Sequence, residues 1–482
     1  MVLTKYLLIS ICFFFMLFAN IANASNALPE IGTVGSSALT IDKEKEYGWA
    51  FRLMANQGLP IIHDPVLNQY INSLGQNIVS HAESVKLPFN FFLVEDKEIN
   101  AAAFLGGSVK IHTGLFLYAK NESELASVIA HEVAHITQRH LARMIEQQSF
   151  NNPASLAALT GSILLALVNP AAGMAALTST MAVSMQSQIN YTRLHEFEAD
   201  RIGIQTLHDA GYDPYGMANF FGMLAEKYKY ANMPPQMLST HPLPETRLAE
   251  SRLRASQFGK VRVANSLEYQ LSKTRITVRF NNITAESAIN YYQNQLRNKK
   301  YKIKEAAQYG LGLAYFQKKN YVEAEKINND LLKAKPNNAF YLDFGADIAI
   351  ALKKPEKIIP LLTKQNKANP KNAVFALNLV IALQENKQYE QAEKVLELFM
   401  RSNPEHYLAN LVAIDLYKLM NKPDKEHLSK GKHLALQGRF REASQEMGSA
   451  LIYTNSRLDQ ARYTEQIEAY KRDDLRLKAL QE

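Results

Sequence analysis

The sequence predicts a mainly α-helical protein with a small β-sheet, arranged as a metal-bearing domain followed by an α-solenoid. Three observations carry that reading. A His-Glu-x-x-His run, His131 to His135, lies inside a long helical stretch. Prolines recur at Pro336, Pro370 and Pro404, 34 residues apart. Two short runs, Val85 to Val94 and Gly107 to His112, read as strands, the second after a Gly-Gly turn. The length of 482 residues exceeds what one compact core usually holds, so two or three domains are expected. A composition of 47% hydrophobic and 21% charged residues is ordinary for a globular chain and excludes a disordered or collagen-like one. The net charge of +8 is spread without a dense basic block, so no nucleic-acid groove is expected. The single cysteine excludes a disulfide scaffold, an iron–sulfur cluster and a multi-cysteine zinc site. Any metal must be held by nitrogen and oxygen.

The N-terminus has the build of a secretory signal: Lys5, an apolar run from Tyr6 to Phe18, and Ala22-Asn23-Ala24. Cleavage is expected after Ala24, with an uncleaved anchor as the alternative because the apolar run approaches the length of a span. Cleavage removes Cys12 and leaves a chain suited to an oxidising compartment. Residues 25–258 then form the metal-bearing domain. Residues 259–283 lack a clean period and read as a linker. From 284 to 482 the chain is helical and repetitive.

A period of 34 is that of the tetratricopeptide repeat, a helix–turn–helix unit with small residues where its helices touch. One unit fits residue by residue: Gly312, Leu313, Ala314 and Tyr315, then Asn320, Tyr321 and Ala324, then Pro336. Tyr389 and Ala392 repeat the second-helix signal two periods on. Phe440 and Ala443 resemble it again but fall out of phase, which suggests an insertion or a degenerate unit between Asn421 and Lys432. Such arrays bind extended peptides or partner proteins on a concave face.

The chemistry lies at His131-Glu132-Val133-Ala134-His135, within a helix read over Asn121 to Gln148 and opened by Asn121 with Glu124 three residues on. Histidines four apart share one helix face and can hold one ion. Glu132, one residue along, can lean toward a water on that ion and take its proton. Zinc suits such a set, because it accepts His and carboxylate ligands and leaves a position for water. A third ligand is available in the helix over Tyr191 to Ala210, which contains His195-Glu196-Phe197-Glu198-Ala199-Asp200. Glu196 and Asp200 share a face with the small Ala199 and Gly203, which would let this helix approach the first closely. Glu196 is therefore the expected ligand in preference to His195 and Glu198. Asp200, one turn on, would bond the free N–H of a ligand imidazole. His241 sits in a loop stiffened by Pro242 and Pro244, as a candidate fourth ligand, gate or transition-state donor, with the alternative that it merely bonds backbone. His63, His81, His208, His406, His427 and His433 lack partners at ligand spacing and read as structural. His112 stays open, as does His140, which a continuous helix would place opposite His131.

HEVAH followed by the EFEAD segment resembles the gluzincin metallopeptidases related to HtpX and the CAAX prenyl proteases, as does Asn100 to Leu115 (NAAAFLGGSVKIHTGL), similar to their edge strand. The signal and the repeats narrow the resemblance to a periplasmic member acting on outer-membrane proteins. It implies a zinc metalloendopeptidase with one Zn2+ per chain held by His131, His135 and Glu196. Glu132 would be catalytic, Asp200 a proton donor or ligand orienter, and Arg247, beside a similar His-Pro loop, a transition-state contact. It also implies unfolded or stalled outer-membrane proteins as substrates and the β-barrel assembly complex as a partner through the repeats. The competing function is a chaperone or adaptor with a largely latent site, and a third is an anchored peptidase. Between the two metal-site helices, residues 154–185 are rich in Ala, Leu and Met and broken at Pro170 and Gly173. They read either as two helices packed over the site or as an apolar hairpin that touches membrane or captures substrate.

Overall fold

The computed structural model describes residues 39–151, 185–230, 236–259, 261 and 263–480. The expected signal at 1–24 and nearly all of the 154–185 segment lie outside these residues. The described residues open with two helices, α1 (Ile41–Gly58) and α2 (Pro65–Ser80). Thr40 caps the first through its side chain, and Asp64 caps the second, with Pro65 in the first turn. Three strands follow, β1 (Asn90–Val94), β2 (Ala101–Phe104) and β3 (Ser108–His112), in the sheet order β1-β3-β2. β1 runs parallel to β3 and β2 antiparallel to it. The first strand starts after Pro88, later than the Val85 read from sequence, because proline cannot donate to the ladder.

A short helix, α3 (Thr113–Tyr118), leads to α4 (Glu122–Thr137), which carries the HExxH run. Asn121 caps α4 by accepting from the Glu124 N–H at 2.9 Å, and Glu124 returns a bond to the Lys120 N–H at 2.7 Å. The helix read over Asn121 to Gln148 is in fact two, because α5 (His140–Asn151) begins after a break at Arg139. Arg139 adopts φ +54° and buries its guanidinium against Glu44 Oε1 at 2.8 Å and the Leu39 carbonyl at 2.6 Å. That anchor turns the chain. Four more helices of this half follow among the described residues: α6 (Met185–Asp209), α7 (Tyr215–Tyr228), α8 (Gln236–Thr240) and α9 (Glu245–Gln257). α6 packs along α4, and a Cβ on Gly203 would lie 3.2 Å from the His131 amide nitrogen, so the approach depends on the missing side chain.

The stretch read as a linker, 259–283, is helical over Leu267–Arg279 (α10). Its apolar period is hidden because polar side chains also face inward: Arg275 is 1% exposed and bonds Asp64, Asp343 and Tyr309. Beyond it, α11 (Ala285–Arg297) precedes five helix pairs. These are α12 (Lys304–Gln317) with α13 (Tyr321–Ala334), and α14 (Ala339–Ala351) with α15 (Ile359–Ala368) and its 3-10 lead-in at Pro355. Then come α16 (Ala373–Glu385) with α17 (Tyr389–Ser402), α18 (Tyr407–Leu419) with α19 (Pro423–Ala435), and α20 (Phe440–Tyr453) with α21 (Arg457–Ala479). The second members begin at Tyr321, Pro355, Tyr389, Pro423 and Arg457, each 34 residues after the last, so no insertion breaks the array. Phe440 starts a first helix, not a second, and that difference produced the apparent slip.

The two halves share apolar core. One continuous cluster joins Leu67 and Ile71 of α2 to Leu342 and Leu377 of the repeats. At the far end α20 and α21 close on α1, where Trp49 stacks on Phe440, Arg476 lies over the Trp49 ring, and Arg476 Nε bonds Glu46 at 2.9 Å.

Candidate metal centre

α4 and α6 bring His131, His135 and Glu196 to one point, and the loop before α9 adds His241. One donor atom from each lies within 4.8 Å of all the others. The separations are even. His131 Nε2 stands 3.0 Å from His135 Nε2, 3.3 Å from His241 Nδ1 and 3.3 Å from Glu196 Oε2. Glu196 Oε1 stands 3.4 Å from His135 Nε2 and 3.0 Å from His241 Nδ1. Donors around a tetrahedral ion at 2.0–2.1 Å would be about 3.3 Å apart, so this set fits one such ion. Two imidazole lone pairs at this range repel unless a cation or a proton lies between them.

The charges respond accordingly. Burial alone would push His131 down, but hydrogen bonds and charge from Asp200 and Glu196 outweigh it and raise it to about 10. Burial likewise opposes the charge on Glu196, yet His241, His131 and His135 hold its carboxylate well below the usual range. A bound ion therefore displaces a proton from this cluster.

Glu132 is 0% exposed, and neither of its oxygens has a hydrogen-bond partner among the described residues. His241 Nε2 stands 3.6 Å from Glu132 Oε1. A buried carboxylate without donors calls for an explanation. A base reserved for a water at the centre supplies one. A cleft of about 350 Å³ opens beside it, lined by Ala103 of the β2 edge, by Leu105 just after that strand, by Glu132 and by His135.

Asp200 Oδ1 stands 3.0 Å from His131 Nδ1, behind the donor nitrogen. Arg247 grips the same carboxylate through Nε at 2.7 Å and Nη2 at 2.8 Å. Its remaining Nη1 reaches Glu196 Oε2 at 2.8 Å and the Pro242 carbonyl at 2.7 Å. All three guanidinium nitrogens are thus engaged with protein. His140, Glu198 and His195 also find places beside the centre. His140, separated from His131 in a continuous helix, is folded back by the Arg139 turn so that its Nδ1 stands 2.9 Å from His135 Nδ1. Glu198 and His195, set aside as ligands, contact His140 on its far side and face. Burial and neighbouring positive charge push His140 down, which keeps it neutral. The one sequence signal for this group was density: four titratable residues within His195 to Asp200.

A buried base beside convergent nitrogen and oxygen donors is the equipment of a metallopeptidase, here joined to a tetratricopeptide array. A model of Peptidase family M48 matches residues 65–255, and a tetratricopeptide repeat model matches residues 349–424. A β-barrel assembly-enhancing protease of Vibrio cholerae is 42% identical over 443 residues, covering 92% of this chain and 91% of that protein. Its Escherichia coli K12 counterpart is 39% identical over 462 residues, covering 95% and 94%. The chain belongs to peptidase family M48 and, within it, to the family of the β-barrel assembly-enhancing proteases. It is a metalloendopeptidase, and its family implies a metal cofactor. Among the described residues no helix is long and apolar enough to cross a membrane.

Proposed function

We propose that the chain is a periplasmic zinc endopeptidase and chaperone-like factor for outer-membrane β-barrel proteins, degrading misassembled clients. The observation that carries the chemistry is the buried Glu132 carboxylate, without a hydrogen-bond partner among the described residues, beside the four-donor cluster. The names of the full-length relatives support the client class, and the signal-like N-terminus supports the compartment. His131, His135 and Glu196 would hold the ion. Two nitrogens and one carboxylate, with a third nitrogen from His241 within reach, suit zinc, where calcium or magnesium would call for six or more oxygens. A zinc held by these residues would supply Lewis acidity toward the scissile carbonyl and lower the pKa of a water to about 7. Glu132 takes the proton from that water and delivers it to the leaving nitrogen. Asp200, locked by Arg247, accepts from His131 Nδ1 and fixes that ring, an orienting role rather than proton donation. The β2 edge beside the cleft would pair with an extended substrate. The repeats would dock the enzyme to the assembly complex.

His241 favours a second reading, that peptidase activity is latent at rest. Its Nδ1 occupies a fourth donor position, and four protein ligands describe a closed site whereas three and a water describe a catalytic one. Docking on the repeats would have to lift the loop. His241→Ala should then raise basal proteolysis with zinc retained; loss of activity with zinc retained would make His241 a transition-state donor instead. The primary test compares degradation of an unfolded outer-membrane protein by wild type and Glu132→Gln. Glu132→Gln should slow it by about 10²–10⁴-fold. Equal degradation by the two would sink the assignment.

A further inference from the structure

His131 and His135 differ in what stands behind them. Behind His131 is a carboxylate, Asp200. Behind His135 is another imidazole, His140, 3% exposed, with its Nδ1 2.9 Å from His135 Nδ1. The other nitrogen of His140, Nε2, lies 3.1 Å from Glu198 Oε2, and Arg143 Nη1 donates to the same oxygen at 2.9 Å. His195 stacks flat on the His140 ring, centroids 4.2 Å apart and planes within 5°. One proton arrangement satisfies every contact once His135 Nε2 is the donor atom. His135 donates from Nδ1, His140 accepts at Nδ1, and His140 donates from Nε2 to Glu198.

We infer that His140, held by Glu198 and His195, is a positioning residue for His135. It fixes the tautomer and ring angle that turn His135 Nε2 toward His131 and Glu196. A ligand histidine that loses such a partner typically loses 10–100-fold in metal affinity. An imidazole suits this position better than a second carboxylate would. Glu132, Glu196 and Asp200 already crowd the centre, with Arg247 offsetting part of their charge. Relaying through a neutral ring moves the next carboxylate out to Glu198, whose side chain is 28% exposed and paired with Arg143. The arrangement depends on the break after α4. Arg139 in its left-handed conformation, anchored on Glu44, brings residue 140 back against residue 135.

This inference rests on the zinc reading of the site, and its test separates the two. The full chain would carry Glu132→Gln to prevent self-cleavage. Zinc affinity would be measured by chelator competition, and the unfolding midpoint would be measured without metal. His140→Ala should weaken zinc by about 10–100-fold with the metal-free midpoint unchanged. His140→Asn, whose side-chain oxygen can accept from His135 Nδ1, should recover most of that loss. Glu198→Gln should weaken zinc less than His140→Ala. A parent chain that binds no zinc defeats the reading of the site itself. Unchanged affinity in His140→Ala overturns only this inference, as does a loss matched by an equal fall in metal-free stability. Should His140→Ala not fold, Glu198→Gln decides: weaker binding on an unchanged metal-free fold supports the assignment, and unchanged binding overturns it.

Discussion

The metal centre and the junction between the two halves are both built from buried charge, yet they use it differently. At the centre, His131, Glu196 and His241 meet with donor atoms facing inward, and Glu132 is left without hydrogen-bond partners among the described residues. At the junction, Arg275 is equally buried but met by three partners. It donates to Asp64 at 2.7 Å and to Tyr309 at 2.8 Å, and pairs with Asp343 at 2.7 Å. Charge that awaits a ligand marks the chemistry, and charge that is closed on itself holds the fold. The distinction also means that the repeats are not an independent appendage.

The sharpest way to break that comparison is to divide the molecule. Truncation after Phe280 would remove Tyr309 and Asp343 from Arg275 and expose the core shared by Leu67, Ile71 and Leu342. The remaining fragment should therefore fail to fold cooperatively. A sharp thermal transition in the isolated fragment would show that each half stands alone. Next in size is Arg275→Ala, which strands two carboxylates and should cost about 3–5 kcal/mol in denaturant unfolding. A loss below about 1 kcal/mol would mean that the cluster is better solvated than its burial indicates.

A smaller pair of changes compares the halves directly. Asn121 caps the HExxH helix and Asn338 caps α14, each through its side-chain oxygen. Asn121→Ala and Asn338→Ala should each cost about 1 kcal/mol. Only the first should also weaken metal binding.

The effect that is smallest at neutral pH, and grows as pH falls, comes from a histidine at the junction. His63, from the peptidase half, stacks on Tyr407 of the repeats with centroids 3.8 Å apart. Burial, helped by His433 and His406, lowers its pKa from 6.5 to about 4. A depressed histidine means that the unfolded chain binds the proton first. The junction's stability from this group is therefore complete above pH 6.5 and declines as pH falls toward 4. Unfolding midpoints measured across that window should fall less steeply in His63→Gln than in wild type.

Much of this was legible in the sequence for identifiable reasons. The spacing of His131 and His135 follows helix geometry, and the 34-residue phase follows stacking of identical units, so local pattern is enough for both. Glu196 was accessible because Ala199 and Gly203 marked its face. What stayed hidden depended on contacts distant in sequence. Arg275 and Asp64 are 211 residues apart, so α10 looked like a linker with its buried face written in polar letters. His140 was hidden by a single backbone angle at Arg139, set in turn by Glu44 nearly a hundred residues earlier. Phe440 shows the reverse error, a correct motif assigned to the wrong helix of its pair.

The central claim is that His131, His135 and Glu196 hold the metal whereas Glu132 serves the chemistry. Metal content measured side by side in full-length Glu132→Gln and Glu196→Ala tests it most directly. The account predicts one zinc per chain without hydrolysis in Glu132→Gln, and neither zinc nor hydrolysis in Glu196→Ala. Full zinc in Glu196→Ala, or loss of zinc in Glu132→Gln, would contradict it.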